Sequence, residues 1–294
     1  MYTFLKTDLH IRYRVRIKTR MSTNAVIHST NANISEVSFS ETKINKQGGK
    51  SVQMRYGGQS LQLRLPRISF PAGLIQREDP TTKNMSYTLI ASLKGCDPFA
   101  RERSDDPTIG PLYNFMLDLQ EKMIVWGTEN SSKLFGKKRS EESIRDSFKT
   151  ILGVSTDKQG DEYVPNGKYP PSLRLKIPVY DGRVDMDAVD GSMNPYALTP
   201  DSLQSVFQKY VQANLVITGS VYIIGQSFGV SWRVKNSQVF QQTRQSAASI
   251  FTAEDSEAPV EETQEEEQEN QPEAQEVPPA AGGGGGGRRR RAQA

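Results

Sequence analysis

Two short runs separated by four residues constrain the fold most. SVQMRY (51–56) and LQLRLP (61–66) flank Gly57, Gly58, Gln59 and Ser60. Val52, Met54 and Tyr56 fall on one side of the first run, and Leu61, Leu63 and Leu65 on one side of the second. Apolar residues at every second position line one face of a strand, and a short Gly-rich connection predicts a hairpin. The alternation returns in SYTLIASL (86–93) and SLRLKIPVY (172–180). It returns again in NLVITGSVYIIG (214–225) and SFGVSWRVKNSQVF (227–240), a second predicted hairpin.

Between these runs the period changes. Leu112, Phe115, Met116, Leu119, Met123 and Trp126 recur at spacings of three and four, which predicts a helix over 111–126. Ser140 is an N-cap for a shorter helix with Ile144, Phe148, Ile151 and Leu152 on its buried side. Residues 152–168 read as a polar loop, and Pro200 and Asp201 open a short helix carrying Leu203, Val206, Phe207 and Tyr210. Strands, then helices, then strands, without regular alternation, predict an α+β and mainly β fold. About seven strands around one core predict a small barrel with helical insertions.

Charge divides the chain differently. It holds 37 Lys and Arg against 34 Asp and Glu. After Phe251 there are 11 acids and 4 arginines, so residues 1–251 hold 33 basic and 23 acidic groups, a net of +10. The segment after Phe251 is rich in Glu, Gln, Pro and Ala and has no aromatic residue, so it cannot offset the entropy of ordering. It ends in six glycines, Arg288–Arg291 and a short Ala-Gln-Ala. The first 20 residues carry six Lys or Arg and one Asp; they read as a basic strand or arm, or as an upstream extension with Met21 the start. The expected domains are an arm over 1–35, a folded domain over 36–245 and a disordered acidic tail over 246–294. No run approaches 18 consecutive apolar residues, so no membrane span is expected. The single cysteine, Cys96, excludes an internal disulfide framework and points to a reducing compartment rather than secretion.

Catalytic chemistry is sparse. The two histidines, His10 and His28, both lie in the N-terminal region, and neither a phosphate-binding loop nor a nucleophile elbow occurs. Asp181, Asp185, Asp187 and Asp190 could hold divalent ions, as in a metal-dependent nuclease. The cluster lacks a calcium-loop glutamate, since Tyr196 stands at that position, and a solvated turn is the simpler reading. No enzyme activity, cofactor or metal is expected.

The strand faces opposite the apolar sides carry the positive signal. Arg55 and Arg64 sit on the first hairpin with Ser51, Gln53 and Gln62; Arg174 and Lys176 follow Tyr169-Pro170-Pro171; Arg233 and Lys235 lie on the last strand with Ser231. A solvated face ordinarily mixes both signs, and these carry no acid. Cations and amides suit phosphates and base edges. Tyr222 lies on the polar side and is the leading stacking residue, with Trp232 and Tyr56 behind it. Trp232 and Phe228 share the apolar side with Val230 and Val234 and read first as core.

GGKSVQMRYGG (48–58), KYPPSLRLKIP (168–178) and SFGVSWRVK (227–235) resemble, in that order, uncharacterised proteins of large DNA viruses of algae and protists. Those proteins have been related to phage-type single-stranded DNA-binding proteins with an OB-fold core and an acidic C-terminal tail. The resemblance spans roughly residues 36–240. It implies an OB-like barrel that protects single strands during viral DNA replication or recombination, at replication sites in the host cytoplasm or nucleus. The phage-type tail ends in acids and an aromatic residue that assists partner binding, whereas this chain ends in Arg and Ala and departs from that pattern of polymerase or helicase recruitment. The expected partners are single-stranded DNA and, through the tail, replication proteins; a homodimer is compatible with the sequence. A virion structural or DNA-packaging protein is the alternative function.

Overall fold

The computed structural model describes residues 25–44 and 48–241. The expectations for the first 24 residues and for the segment beyond Gln241, Arg288–Arg291 included, lie outside the described residues. Ten strands and three helices position the site. They are β1 (Val37–Phe39), β2 (Lys50–Tyr56), β3 (Gln62–Arg64), β4 (Ile68–Phe70), β5 (Leu74–Glu78) and β6 (Met85–Ser92). Then come α1 (Gly110–Glu129), α2 (Ser131–Phe135), α3 (Glu141–Ser147), β7 (Ser172–Ile177) and β8 (Asp187–Asp190). The long strands β9 (Val211–Ile224) and β10 (Ser227–Phe240) close the series.

Five strands form a closed ring. β4 pairs with β6, β6 with β7, β7 with β10, β10 with β9, and β9 returns to β4. Every pairing is antiparallel except β7 with β10. In chain order the ring reads first, second, third, fifth, fourth, with the third and fifth strands parallel, which is the OB-like barrel order. Closure removes the exposed edges that an open sheet must otherwise protect. The fold is therefore mainly β with helical insertions, as the patterning predicts.

β9 shows why the sequence folds this way. From Val211 to Ile223 every odd-numbered residue is buried and every even-numbered one only partly so. Leu215, Ile217, Val221 and Ile223 fill the barrel with Leu63, Phe70, Leu89, Leu175 and Val234. Gly219 must lack a side chain, because a Cβ there would collide with Met54 and lie 2.8 Å from Trp232. In β10 the alternation slips once: Ile217 faces Val234 but Val216 faces Asn236, so Lys235 is the extra residue of a bulge.

The first predicted hairpin is shorter than its alternation suggests. Arg55 and Tyr56 pair with Ser60 and Gln59, after which Gln62–Arg64 leaves to pair with Val216–Thr218 of β9. The barrel offers a longer partner than the hairpin does. The helix after Ser140 ends at Ser147, and Phe148 and Lys149 pair with β10, so Ile151 and Leu152 are buried without belonging to it. The polar loop of 152–168 instead contains a hairpin, Thr156–Gln159 with Glu162–Pro165, that hides no apolar face and so gives no periodic signal. Ile27 and His28 pair with Leu63 and Arg64, so part of the expected arm belongs to the sheet.

α1 runs longer than predicted and packs its apolar stripe inward. Gly127 lets it approach the barrel: a Cβ there would meet the Phe228 ring at 2.9 Å. Trp126 lies 4.6 Å from Phe39 of β1, measured between ring centroids. No helix among the described residues is long and apolar enough to cross a membrane.

Candidate nucleic-acid interface

Residues opposite one another across paired strands share a face, so the registers assemble the outer surface row by row. One row runs Gln62, Thr218, Arg233 and Lys176, across β3, β9, β10 and β7, and ends at the buried Thr88 of β6. A second brings together Gln53, Ser220 and Ser231. A third holds Lys43, Ser51, Tyr222, Gly229 and Lys149. These three rows contain no acid. Lys43, Gln53, Thr218, Ser220 and Arg233 line a cleft of about 350 Å³ on this face.

Beside the cleft Lys176 stands opposite Arg233, and Arg174 lies two residues from Lys176 on the same face of β7. All three are exposed, and among the described residues none makes a hydrogen bond or ion pair. Desolvation, then Arg233, then Arg174 hold the Lys176 ammonium below its ordinary value. Partial burial on the sheet disfavours the charged ammonium first, and the two neighbouring guanidinium charges add to it. An anion placed among them relieves that repulsion.

The remaining predicted residues fall into distinct settings. Arg64 is exposed one step along β3 from Gln62 and lines a separate 480 Å³ groove with Asn214, Asn236 and Asp187. Arg55 is exposed two residues beyond Gln53, where β2 has left β9 and pairs with Ser38 and Ser60. Lys235 is turned by the bulge toward Asp185, with Nζ 3.1 Å from the carboxylate, so the acid-free strand face acquires an acid from elsewhere in the chain. Tyr222 is half-buried and leans over β10: a Cβ on Gly229 would lie 2.7 Å from its hydroxyl. Burial raises the pKa of that hydroxyl.

Trp232 is corrected by the structure. It is 2% exposed, faces the barrel interior and cannot stack on a base. Tyr56 is half-buried, and its hydroxyl accepts a hydrogen bond from the Asn33 backbone N–H at 3.0 Å. Lys43 and Lys149 are additions: both lie in two-residue strands, too short for any periodicity to mark their outward faces.

The aspartates do not form a metal site. Asp190 accepts from the backbone N–H groups of Ser192 and Asn194 and closes a turn, while Asp185 is taken by Lys235. Among the described residues no three His, Cys, Asp or Glu side chains are placed to hold a metal.

The strand order defines an OB-like barrel, and the three acid-free rows give it an outer surface suited to a polyanion. No known family's sequence profile matches the chain, and no curated protein matches it. Among solved structures it is similar to a single-stranded DNA-binding protein from bacteriophage Enc34 in complex with single-stranded DNA. The identity is 9% and the TM-score 0.38, covering 70% of this chain and 96% of that one. It is also similar to gp2.5, a single-stranded DNA-binding protein encoded by bacteriophage T7, at 10% identity and TM-score 0.40, covering 65% of this chain and 97% of that one. At these values the likeness carries no weight, and the barrel order rests on the strand pairings alone.

Proposed function

We propose that the protein binds single-stranded DNA along the outer face of its barrel and coats it during viral DNA replication or recombination. The observation that carries this is the contiguous group Arg174, Lys176 and Arg233, exposed, without acidic partners among the described residues, on a face that includes the second and third ring strands. In barrels of this order that face commonly takes oligonucleotides, which is a fold-level analogy. Arg174, Lys176 and Arg233 contact phosphates, with Lys43, Lys149, Arg55 and Arg64 extending the track. Lys235 contributes less because Asp185 already holds it. Tyr222 supplies a stacking surface beside Lys149. Among the described residues the folded module runs from the expected start at residue 36 to Gln241, with the Ile27–His28 strand added. The acidic segment after Phe251 competes for the face as a tethered polyanion and, once displaced, meets replication proteins.

A salt titration of full-length protein with fluorescent oligo-dT tests this. Log affinity falls with log salt at about 0.7 per phosphate neutralised. A chain ending at Phe251 binds several-fold more tightly at low salt. Absence of binding by both forms at low salt disproves the DNA-binding reading; weaker binding by the shortened chain disproves competition and implicates Arg288–Arg291.

A further inference from the structure

The proposed DNA track names where phosphates sit but leaves the bases without a seat on β6 and β7. A pocket of about 320 Å³ lies there, lined by Ile90, Ser92, Val154, Tyr169, Pro170 and Ser172 among others, with no charged side chain in its wall. Its floor is continuous with the cations. Ile90 pairs with Arg174, and Ser172 pairs with Ser92 one step along the same strands. Ser172 and Arg174 are two residues apart on one strand face, a separation of ~6.6 Å.

Tyr169 forms one side of this pocket and is 67% exposed. A residue so exposed contributes little to the core, yet its backbone is firmly placed. Its N–H donates to Ser155 Oγ at 3.2 Å, and Ser155 Oγ donates to Asn166 Oδ1 at 2.6 Å. Asn166 Oδ1 also accepts from the Lys168 N–H, and Pro170 and Pro171 fix the chain just beyond. The ring is therefore presented from a rigid loop, which lowers the entropic cost of using it.

We propose that this pocket seats a nucleobase of the bound strand, stacked on Tyr169, while Arg174 holds the adjacent phosphate. The inference rests on the DNA-binding reading above. An uncharged, partly apolar wall suits a base and not a phosphate, and the unpaired Arg174 and Lys176 beside it select an anionic chain over a neutral ligand.

The test uses full-length protein, an oligo-dT and an oligonucleotide of equal length made of abasic sites. Tyr169→Ala weakens oligo-dT binding by about 5- to 150-fold, the range for losing one base stack. The salt slope stays unchanged, because no phosphate contact is lost. Tyr169→Phe retains wild-type affinity, and both variants bind the abasic strand as the wild type does. Arg174→Ala lowers the salt slope by about 0.7 for both oligonucleotides. Unchanged oligo-dT affinity in Tyr169→Ala, with Arg174→Ala still effective, overturns the base seat and leaves DNA binding standing. Equal weakening for the abasic strand also overturns it. No binding by wild type to either strand overturns both readings.

Discussion

Arginines on the helical insertion and on the barrel face have opposite fates. Arg103 donates to Asp118 at 2.6 Å, and Arg145 is held at 2.9 Å by each carboxylate oxygen of Glu121. Arg139 donates to Ser143 and Ser147 and lies 4.9 Å over the Phe135 ring. On the barrel face Arg174 and Arg233 make no hydrogen bond or ion pair among the described residues, and both lie close enough to Lys176 to act on its charge. A paired guanidinium has its charge answered inside the fold. A bare cluster repels itself and is maintained at some expense of stability, which makes an external anion its natural complement.

The sharpest way to break this comparison is to remove charge from each region in turn. Replacing Arg174, Lys176 and Arg233 together by Ala lowers the salt slope of oligo-dT binding by about 2, at ~0.7 for each phosphate contact. The pair Arg103→Ala and Arg145→Ala leaves the slope unchanged and costs at most about 1 kcal/mol per ion pair, since these pairs are exposed. Equal effects on binding would erase the distinction between the two regions.

Next in size is a substitution that keeps every charge. Gly229→Ala places a Cβ 2.7 Å from the Tyr222 hydroxyl and 3.1 Å from Lys149 Cβ, so the ring must move. Oligo-dT affinity falls by about tenfold, within the range for one stacked base, and the salt slope is preserved. A fluorescence titration at two salt concentrations separates this from a charge effect.

The crowding of cations is itself measurable. Because desolvation, Arg233 and Arg174 lower the Lys176 pKa, folding disfavours its charged form. That penalty is fully present below the folded pKa and vanishes as pH rises to the unfolded value near 10.5, so this group's share of stability improves with pH across that window. NMR titration of the Lys176 Nζ tests it. Arg233→Ala moves the midpoint upward, as does bound oligo-dT; a stationary midpoint in both cases would separate the three charges.

The smallest effect is expected at the bulge. Asp185→Asn releases Lys235 from its partner at 3.1 Å and converts a paired cation into a free one. The salt slope steepens by at most about 0.7. No change would mean that Lys235 points away from the strand even when unpaired.

The sequence by itself settled the secondary structure wherever one face was buried and the other wet. β9 and β10, the Met85–Ser92 strand and α1 follow from period alone, because burial repeats with the geometry of the element. The outward placement of Arg174, Lys176 and Arg233 is equally legible, since each alternates with residues that fill the barrel. Segments without a buried periodic face left no such trace, which is why the hairpin over 156–165 reads as loop and why Lys43 and Lys149 go unseen. Tertiary structure alone decided who stands beside whom. Strand pairing sent Gln62–Arg64 to β9, the bulge turned Lys235 to Asp185, and the parallel register of β7 and β10 set Lys176 opposite Arg233. Alternation fixes which side of a strand a residue occupies; only the closed ring fixes its neighbours.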